Sequence, residues 1–306
     1  MDSLMQRCHF VSFIAAASAA TLLAACGSGS DAEPIESNDT IRELASEPTS
    51  PPEPTTPPDT AVPAAEVGAI GAVLSYTESG GFTTREVAFQ DPPIMIIAED
   101  GNVITMAATP AVFPGPLVQQ HTVQRISPSG ADAVISAADD AGLLSLITYE
   151  GNDQVADAST SILTIVSDGN TYQHSADALG MGGGPGETSE SDEARGALLE
   201  FVTQLSNDVG EFAGPGAIGD AEAYRPAGYQ FIAVPLTDFS AFNEEPRIEA
   251  WPAGTGIELV DATECVAISR AFLGDLFERA DQLTVFSQND VDYQLTVRPA
   301  YPGRSC

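Results

Sequence analysis

The chain has 306 residues and a formal net charge of -33, and all eleven of its Lys and Arg residues are arginine. The absence of lysine excludes phosphate-loop nucleotide hydrolysis, Schiff-base chemistry and Ser-x-x-Lys acylation, which all need that side chain. The acidic balance also argues against nucleic acid as a partner, because phosphate binding depends on clustered Lys and Arg. The length allows one large domain or two small ones.

An uncharged apolar segment, residues 10–25, lies near the start of the chain. Its length suits a signal peptide and falls below the roughly 20 apolar residues that a membrane-spanning helix needs. The segment runs into the sequence Leu-Ala-Ala-Cys, which ends at Cys26. We therefore predict a signal peptide over residues 1–25.

The Leu-Ala-Ala-Cys motif resembles the lipobox of bacterial lipoprotein precursors. In that family the cysteine sulfur receives a diacylglyceryl group and the chain is cut just before the cysteine. The resemblance implies that Cys26 is the lipidated first residue of a mature protein held on the extracytoplasmic side of the cell membrane. The alternative is an ordinary secretory signal, in which Cys26 has no special role.

The region after the motif, residues 26–66, is rich in Pro, Glu, Ser and Thr and poor in apolar residues. Such a segment cannot bury enough apolar surface to fold, so we expect a disordered linker that carries the lipid anchor. Its Pro-rich part favours extended polyproline II, which makes it a semi-rigid spacer. The globular part should therefore stand away from the membrane.

The first globular segment, residues 67–186, is predicted to be an α+β subdomain of hairpins and one helix. Asp-Gly pairs at 100–101 and 168–169 stand between apolar runs, a pattern typical of β-hairpins. Ser127 and the proline after it are typical of a helix start, and they predict a helix near 128–141. The predicted strands lie at 73–77, 85–89, 94–97, 103–104, 122–126, 162–166 and 172–175.

The second segment, residues 187–306, is predicted to be a further α+β subdomain. Apolar residues at helical spacing indicate a helix near 191–209. A second helix is predicted near 262–280, opened by a start resembling a capping box at Asp261 and Glu264. The predicted strands lie at 230–234, 283–286 and 291–297.

The strands come as hairpins and the three helices come singly, without regular βαβ alternation. This order favours an α+β fold with antiparallel sheet. The Asp-Gly hairpins and the Arg-Pro tail at the C-terminus resemble envelope lipoproteins of actinobacteria. That resemblance implies an envelope location and no particular activity.

Two cysteines, Cys265 and Cys306, remain after signal removal, which takes Cys8, and lipidation of Cys26. An even number of thiols in an oxidising compartment predicts a disulfide between them. Chain-entropy models assign about 4 kcal/mol to closing a loop of about 40 residues. The alternative is a pair of free thiols.

The globular part contains two histidines, His121 and His174, neither in the H-E-x-x-H spacing of zinc hydrolases. The chain also lacks the G-x-S-x-G motif of α/β-hydrolases. We expect both histidines to lie on strands, facing solvent or a polar pocket. In the alternative of a hydrolase with dispersed catalytic residues, one of them would be the general base.

A glycine-rich loop near 180–186 is followed by acidic residues, Glu187, Glu190, Asp192 and Glu193. These carboxylates would repel a phosphate, but they could supply oxygen ligands to calcium. The alternative, which the missing EF-hand spacing favours, is a solvated loop whose acids suit the positive end of the next helix. We expect no metal or other cofactor.

Aromatic residues concentrate in the second half of the chain, some of them beside arginines. They could form a recognition surface, although core and edge packing is the simpler explanation. The aromatics concerned are Tyr224, Tyr229, Phe231, Phe242, Trp251, Tyr293 and Tyr301, and the arginines are Arg225, Arg247 and Arg298.

Taken together, the sequence favours a non-enzymatic, lipid-anchored envelope protein that binds an unidentified ligand. The expected partners are the membrane, through the lipid on Cys26, and an envelope protein or glycan. A hydrolase and a module that presents a loop to a protease are the alternatives. The last of these rests on fold analogy alone.

Overall fold

Two β-sheets organise the residues that the computed structural model describes, which are 70–81, 83–108, 111–150, 155–181 and 188–306. The first sheet is antiparallel, and its seven strands lie in the spatial order 6-5-1-2-3-4-7. In chain order these strands are β1 (Ala72–Gly80), β2 (Pro93–Ala98), β3 (Asn102–Met106), β4 (His121–Arg125), β5 (Ser159–Ser167), β6 (Asn170–Asp177) and β7 (Glu222–Ala223).

Helices cover one face of the first sheet and form its main core. The first four helices of the described chain are α1 (Arg85–Gln90), α2 (Pro128–Asp140), α3 (Ser189–Asn207) and α4 (Val209–Ala213). Val134 of α2 and Leu198 and Leu205 of α3 are fully buried in one cluster with Leu74 and Leu163 of the sheet. The apolar stripes of α2 and α3 therefore cover the sheet, while α1 lies elsewhere.

The second sheet is mixed and has five strands, β8 (Gly228–Pro235), β9 (Arg247–Ala250), β10 (Val266–Ser269), β11 (Thr284–Gln288) and β12 (Val291–Pro299). Their spatial order is β10-β8-β12-β11-β9, and only the β9–β11 pair is parallel. Two helical turns, α5 (Arg270–Leu273) and α6 (Leu276–Arg279), accompany it. Its core contains the aromatic cluster of Phe231, Trp251, Phe277 and Phe286.

This architecture confirms the predicted α+β class. Both Asp-Gly hairpins form, as β2–β3 and β5–β6, and the C-terminal hairpin forms as β11–β12. The predicted helices near 128–141 and 191–209 are α2 and α3. Ser127 caps α2 as expected, because its hydroxyl accepts a hydrogen bond from the amide of Gly130 at 3.1 Å.

The strand predicted at 85–89 is wrong, because these residues form helix α1. The side chain of Thr84 caps this helix by accepting a hydrogen bond from the amide of Val87. Glu86 in the first turn suits the positive end of the helix. The half-buried residues of α1, Glu86 and Phe89, are three positions apart, which is a helical spacing and not that of a strand.

The single helix predicted near 262–280 is also wrong. Strand β10 occupies its first part and pairs with β8, and α5 and α6 follow it. The hydroxyl of Ser269 caps α5, and Gly274 ends it with a positive φ of 57°. The apolar spacing arose because Ile268, Leu276 and Ala280 enter one core from different elements.

Helix α3 packs on the first sheet, although the sequence placed it in the C-terminal subdomain of residues 187–306. The change from the first sheet to the second comes between β7 and β8. All the described residues belong to one compact unit. The predicted signal peptide (1–25) and linker (26–66) lie outside the described residues.

The C-terminal tail, residues 300–306, connects the two sheets. The ring of Tyr301 is 1% exposed and packs with Ile96 and Ile104 on the face of the first sheet that the helices leave uncovered. Its hydroxyl lies 3.0 Å from Nε2 of His121 on β4. The apolar run of β2 is explained by this packing, since both of its faces are buried.

Further contacts of the tail bind it to both sheets. The amide of Gly303 donates to the carbonyl of Ile70 at 2.8 Å, and a guanidinium nitrogen of Arg304 donates to the carbonyl of Asp91 at 3.1 Å. The Arg304 carbonyl accepts from the side chain of Gln230 on β8 at 3.0 Å. Gly303 has a φ of 72°, and a Cβ there would lie 3.1 Å from that of Ala72. This position therefore requires glycine.

The predicted disulfide between Cys265 and Cys306 is present, with 5.2 Å between the Cα atoms. It ties the end of the tail to the residue just before β10. The C-terminus is thus held both by Tyr301 on the first sheet and by the disulfide on the second.

We predict that Tyr301→Phe lowers the free energy of unfolding by about 1–3 kcal/mol, because it leaves the buried Nε2 of His121 without a hydrogen-bond partner. Chemical denaturation monitored by fluorescence measures this change. Tyr293→Phe is the matched control. Tyr293 is also buried, but its hydroxyl makes no side-chain hydrogen bond within the described residues. Equal losses in the two variants would contradict the role assigned to the Tyr301 hydroxyl.

We predict that the double variant Cys265→Ser, Cys306→Ser loses about 4 kcal/mol of stability, because the loop between residues 41 apart is no longer closed in the unfolded chain. Denaturant titration of the purified variant measures the loss. The wild type titrated with its disulfide reduced should show a loss of the same size. An unchanged midpoint in the double variant would show that the disulfide does not restrain the unfolded state.

Candidate binding clefts

A cleft of about 820 Å³, which we call the main cleft, opens beside the C-terminal tail. Its walls come from α1, the segment 112–119, β12 and the residues Gln282 and Thr284. The volume lies within the 300–1,000 Å³ range that is typical of ligand pockets. The main cleft is therefore large enough for a small ligand or several residues of a peptide.

Polar side chains on β12 line the main cleft because strand residues alternate between two faces. Tyr293, Leu295 and Val297 enter the core, and the alternate residues Gln294 and Thr296 line the cleft. Within the described residues, the side chains of Gln294 and Thr296 make no hydrogen bond, and neither does Gln90 of α1. The main cleft thus presents amide and hydroxyl groups that are available to a ligand.

The charged lining of the main cleft consists of Glu86 and Arg298. Arg298 is already engaged: it donates to Gln230 at 2.8 Å and to the carbonyl of Phe89 at 3.2 Å, and it lies 4.3 Å from the Phe89 ring centre. Burial, with a smaller contribution from Arg304, lowers the pKa of Arg298 to about 10. Arg298 is therefore cationic at neutral pH and holds α1 against β12.

A second cleft, of about 500 Å³, shares Pro116, Gln119 and Pro299 with the main cleft. Pro116, in the segment 115–117, lies in the lining of both clefts. The backbone of the segment 115–117 is hydrogen-bonded to the half of the molecule that contains the second sheet. The amide of Leu117 donates to the carbonyl of Ala280, and the carbonyl of Gly115 accepts from the amide of Gln282. This segment and the C-terminal tail together keep the halves in place around both clefts.

The second cleft brings together His121, Tyr224, Tyr229 and Arg225, which the sequence had singled out separately. Glu278 joins them, and its carboxylate lies 3.5 Å from the hydroxyl of Tyr229. That carboxylate is also paired with Arg270 at 2.5 Å. Burial raises the pKa of Tyr224 and of Tyr229 to about 12, so both hydroxyls stay protonated.

His121 lies on β4 and lines the second cleft, in keeping with the expected polar pocket, and 4% of its surface is exposed. Its Nδ1 lies 3.0 Å from the carbonyl of Gln119, which can only accept, so Nδ1 carries the proton. Nε2 then accepts from the hydroxyl of Tyr301. Burial lowers the pKa of His121, and both ring nitrogens are occupied. This histidine cannot take a proton from a substrate without displacing Tyr301.

His174 on β6 is fully buried and held in the same way. Its Nε2 donates to the carbonyl of Leu143 at 2.8 Å, and its Nδ1 accepts from the hydroxyl of Tyr149 at 2.9 Å. Burial lowers the pKa of His174 and raises that of Tyr149 to about 12. The pair joins the loop after α2 to the first sheet as a structural contact.

The acidic residues considered for calcium lie at the start of α3, except that Glu187 lies outside the described residues. Glu190, Asp192 and Glu193 are exposed on the first two turns. Within the ranges that the structure describes, no group of three or more His, Cys, Asp or Glu side chains is placed to hold a metal ion. The helix is capped by Thr188, whose side chain accepts from the amide of Ser191.

Most aromatics of the second half pack in the interior, as the simpler explanation predicted. Tyr229, Phe231, Trp251 and Tyr293 belong to the core of the second sheet. Of the residues singled out from the sequence, Arg298 and Tyr301 line the main cleft. Its floor was not predicted, and the signal that could have indicated it is the polar alternation of Gln294 and Thr296 on β12.

Comparison of the chain with protein-family models, curated proteins and solved structures gave no match. Among the described residues, no helix has both the length and the apolar character needed to cross a membrane.

We predict that His174 makes stability fall as the pH drops below about 6.5, because its folded pKa is lowered and the unfolded chain takes up the proton first. Above about pH 6.5 the contribution of His174 to the free energy of unfolding is fully present. In His174→Gln the slope of unfolding free energy against pH should decrease by up to about 1.4 kcal/mol per pH unit below about pH 6.5. Urea unfolding at a series of pH values measures it.

The variant Gln173→His is the control for this measurement, since residue 173 is exposed on the same strand. An exposed histidine titrates alike in the folded and unfolded states, so the slope should not change. The carboxylates are common to all three chains and cancel in the comparison. Parallel curves for the wild type and His174→Gln would refute the prediction.

Proposed function

We propose that the protein is a lipid-anchored, extracytoplasmic envelope protein that acts as a binding module. The observation that carries the proposal is the Leu-Ala-Ala-Cys motif ending at Cys26, directly after an uncharged segment of signal-peptide length. The disulfide between Cys265 and Cys306 supports it, because such bonds persist in oxidising compartments outside the cytoplasm.

The charge of the chain is consistent with a covalent anchor. A formal net charge of -33 is repelled by anionic lipid headgroups, so electrostatic attraction cannot hold the protein at a membrane. Two or more acyl chains can do so, since each buried methylene contributes about 0.8 kcal/mol. The Pro-rich linker would then hold the globular part away from the bilayer.

The clefts support binding rather than catalysis. The ring nitrogens of both His121 and His174 are taken up by carbonyl and tyrosine partners, which leaves neither as the general base that the hydrolase alternative requires. The main cleft offers free amide and hydroxyl groups instead. An envelope protein or glycan is the expected ligand class, and the acidic charge disfavours nucleic acid.

We predict that Cys26→Ala abolishes incorporation of a fatty-acid analogue and releases the protein from the membrane fraction. The test is growth of a lipoprotein-processing bacterial host with an alkyne-bearing palmitate, followed by fluorescent tagging and fractionation. Cys8→Ala is the matched control, because it removes the other cysteine near the N-terminus and should leave labelling and sedimentation unchanged. Mass spectrometry of the wild type should find the lipid on the N-terminal cysteine.

Label retained by Cys26→Ala would contradict the proposal. So would a wild-type chain recovered with an unmodified thiol at Cys26 and an intact segment 1–25. Either result would rule out Cys26 as the lipid anchor.

A further inference from the structure

We propose that the main cleft binds an extended polypeptide segment with aliphatic side chains at alternate positions and a basic residue. This inference rests on the proposed binding function and specifies its ligand. Four features of the cleft carry it: the spacing of its polar floor, its aliphatic rim, its charge, and the absence of an exposed aromatic ring from its described lining.

The floor of the cleft matches the repeat of an extended chain. Gln294 and Thr296 are two residues apart on β12, so their side chains stand about 6.8 Å apart on one face. An extended peptide repeats its backbone groups at the same interval. A glutamine amide and a threonine hydroxyl each both donate and accept, so they can pair with its N–H and C=O groups.

The rim of the cleft is aliphatic and exposed. Val87 of α1, Val112 of the segment between β3 and β4, and Val234 of β8 are 49%, 60% and 39% exposed. They come from three separate elements that converge on one opening. Exposed apolar side chains gathered around a groove are typical of an interaction site. They suit the aliphatic side chains that an extended ligand presents on one side.

The charge of the cleft favours a basic ligand. Glu86 is the one carboxylate among its described lining residues, and hydrogen bonds from its own amide and from Thr84 lower its pKa. The guanidinium of Arg298 keeps its positive charge, but its hydrogen bonds and ring contact are made to Gln230 and Phe89. In a chain whose formal net charge is -33, Glu86 is the group in the described lining that attracts a lysine or arginine and repels an acidic segment.

The same lining argues against a glycan. Sugar rings are held largely by stacking on exposed aromatic rings, and Tyr301 is the only aromatic residue in the described lining. Its ring is 1% exposed because it is packed against Ile96 and Ile104. The cleft therefore pairs hydrogen-bonding groups with aliphatic contacts, which is how peptide-binding grooves combine affinity and specificity.

The experiment is selection from a displayed library of random heptapeptides on the full-length protein in detergent micelles. The enriched peptides should alternate aliphatic residues and contain Lys or Arg. Synthetic versions should bind Gln294→Arg at least about tenfold more weakly, because the new side chain fills the floor and repels the basic residue. Gln173→Arg, the same substitution at an exposed strand position outside the cleft, should bind as the wild type does.

A second pair of measurements tests the charge. Glu86→Gln should weaken binding of a lysine-containing peptide by about two- to fivefold, as expected for an exposed ion pair. Glu86→Gln should not change the binding of an analogue in which norleucine replaces that lysine.

If Gln294→Arg does not fold, Thr296→Val tests the floor of the cleft instead, because it removes the hydroxyl at nearly constant volume.

Peptides that bind Gln294→Arg as tightly as the wild type would overturn the proposal. Binding of soluble envelope glycans that Gln294→Arg abolishes would overturn the ligand class alone and leave a binding function in place. The absence of any ligand that depends on the cleft would overturn both. Whether Cys26 carries a lipid is tested by the fatty-acid labelling experiment, whose result does not depend on peptide binding.

Discussion

The hydrogen bond between Tyr301 and His121 is the contact on which the arrangement of the two sheets depends. Tyr301 belongs to the tail that leaves the second sheet, and His121 lies on the first. The ring covers the face that the helices leave open, so it seals an apolar surface and also joins the two halves. Because both groups are buried, each needs the other as its polar partner. The Cys265–Cys306 disulfide then restrains the end of the tail.

The clefts are a consequence of this connection. The halves meet through the tail, through the segment 115–117 and through Arg298, which holds α1 on β12. The main cleft lies beside these contacts and is lined in part by Pro116 and Arg298. The polar face of β12 lies in this cleft with its hydrogen-bonding groups free. The contacts that join the halves thus also shape the site that we assign to ligand binding.

Burial and hydrogen bonding make the two histidines unavailable for acid–base chemistry. In the sequence they were the natural candidates for acid–base chemistry, since no other side chain titrates near neutral pH without perturbation. In the structure each is neutral and linked to a carbonyl on one side and a tyrosine hydroxyl on the other. His174 pairs with Tyr149, which is 25 residues away in the chain, and His121 pairs with Tyr301, which is 180 residues away. No local sequence pattern reveals either pair.

The sequence by itself determined the α+β class, the hairpins, helices α2 and α3 and the pairing of Cys265 with Cys306. These depend on local turn chemistry, on short-range periodicity or on a count of cysteines. The tertiary structure alone decided that residues 85–89 form a helix, that 262–280 is divided between a strand and two helical turns, and that Gln294 and Thr296 face a cleft. In each case the deciding contacts join residues far apart in the chain. Sequence periodicity indicates which residues are buried, but only the tertiary structure shows which residues they pack against.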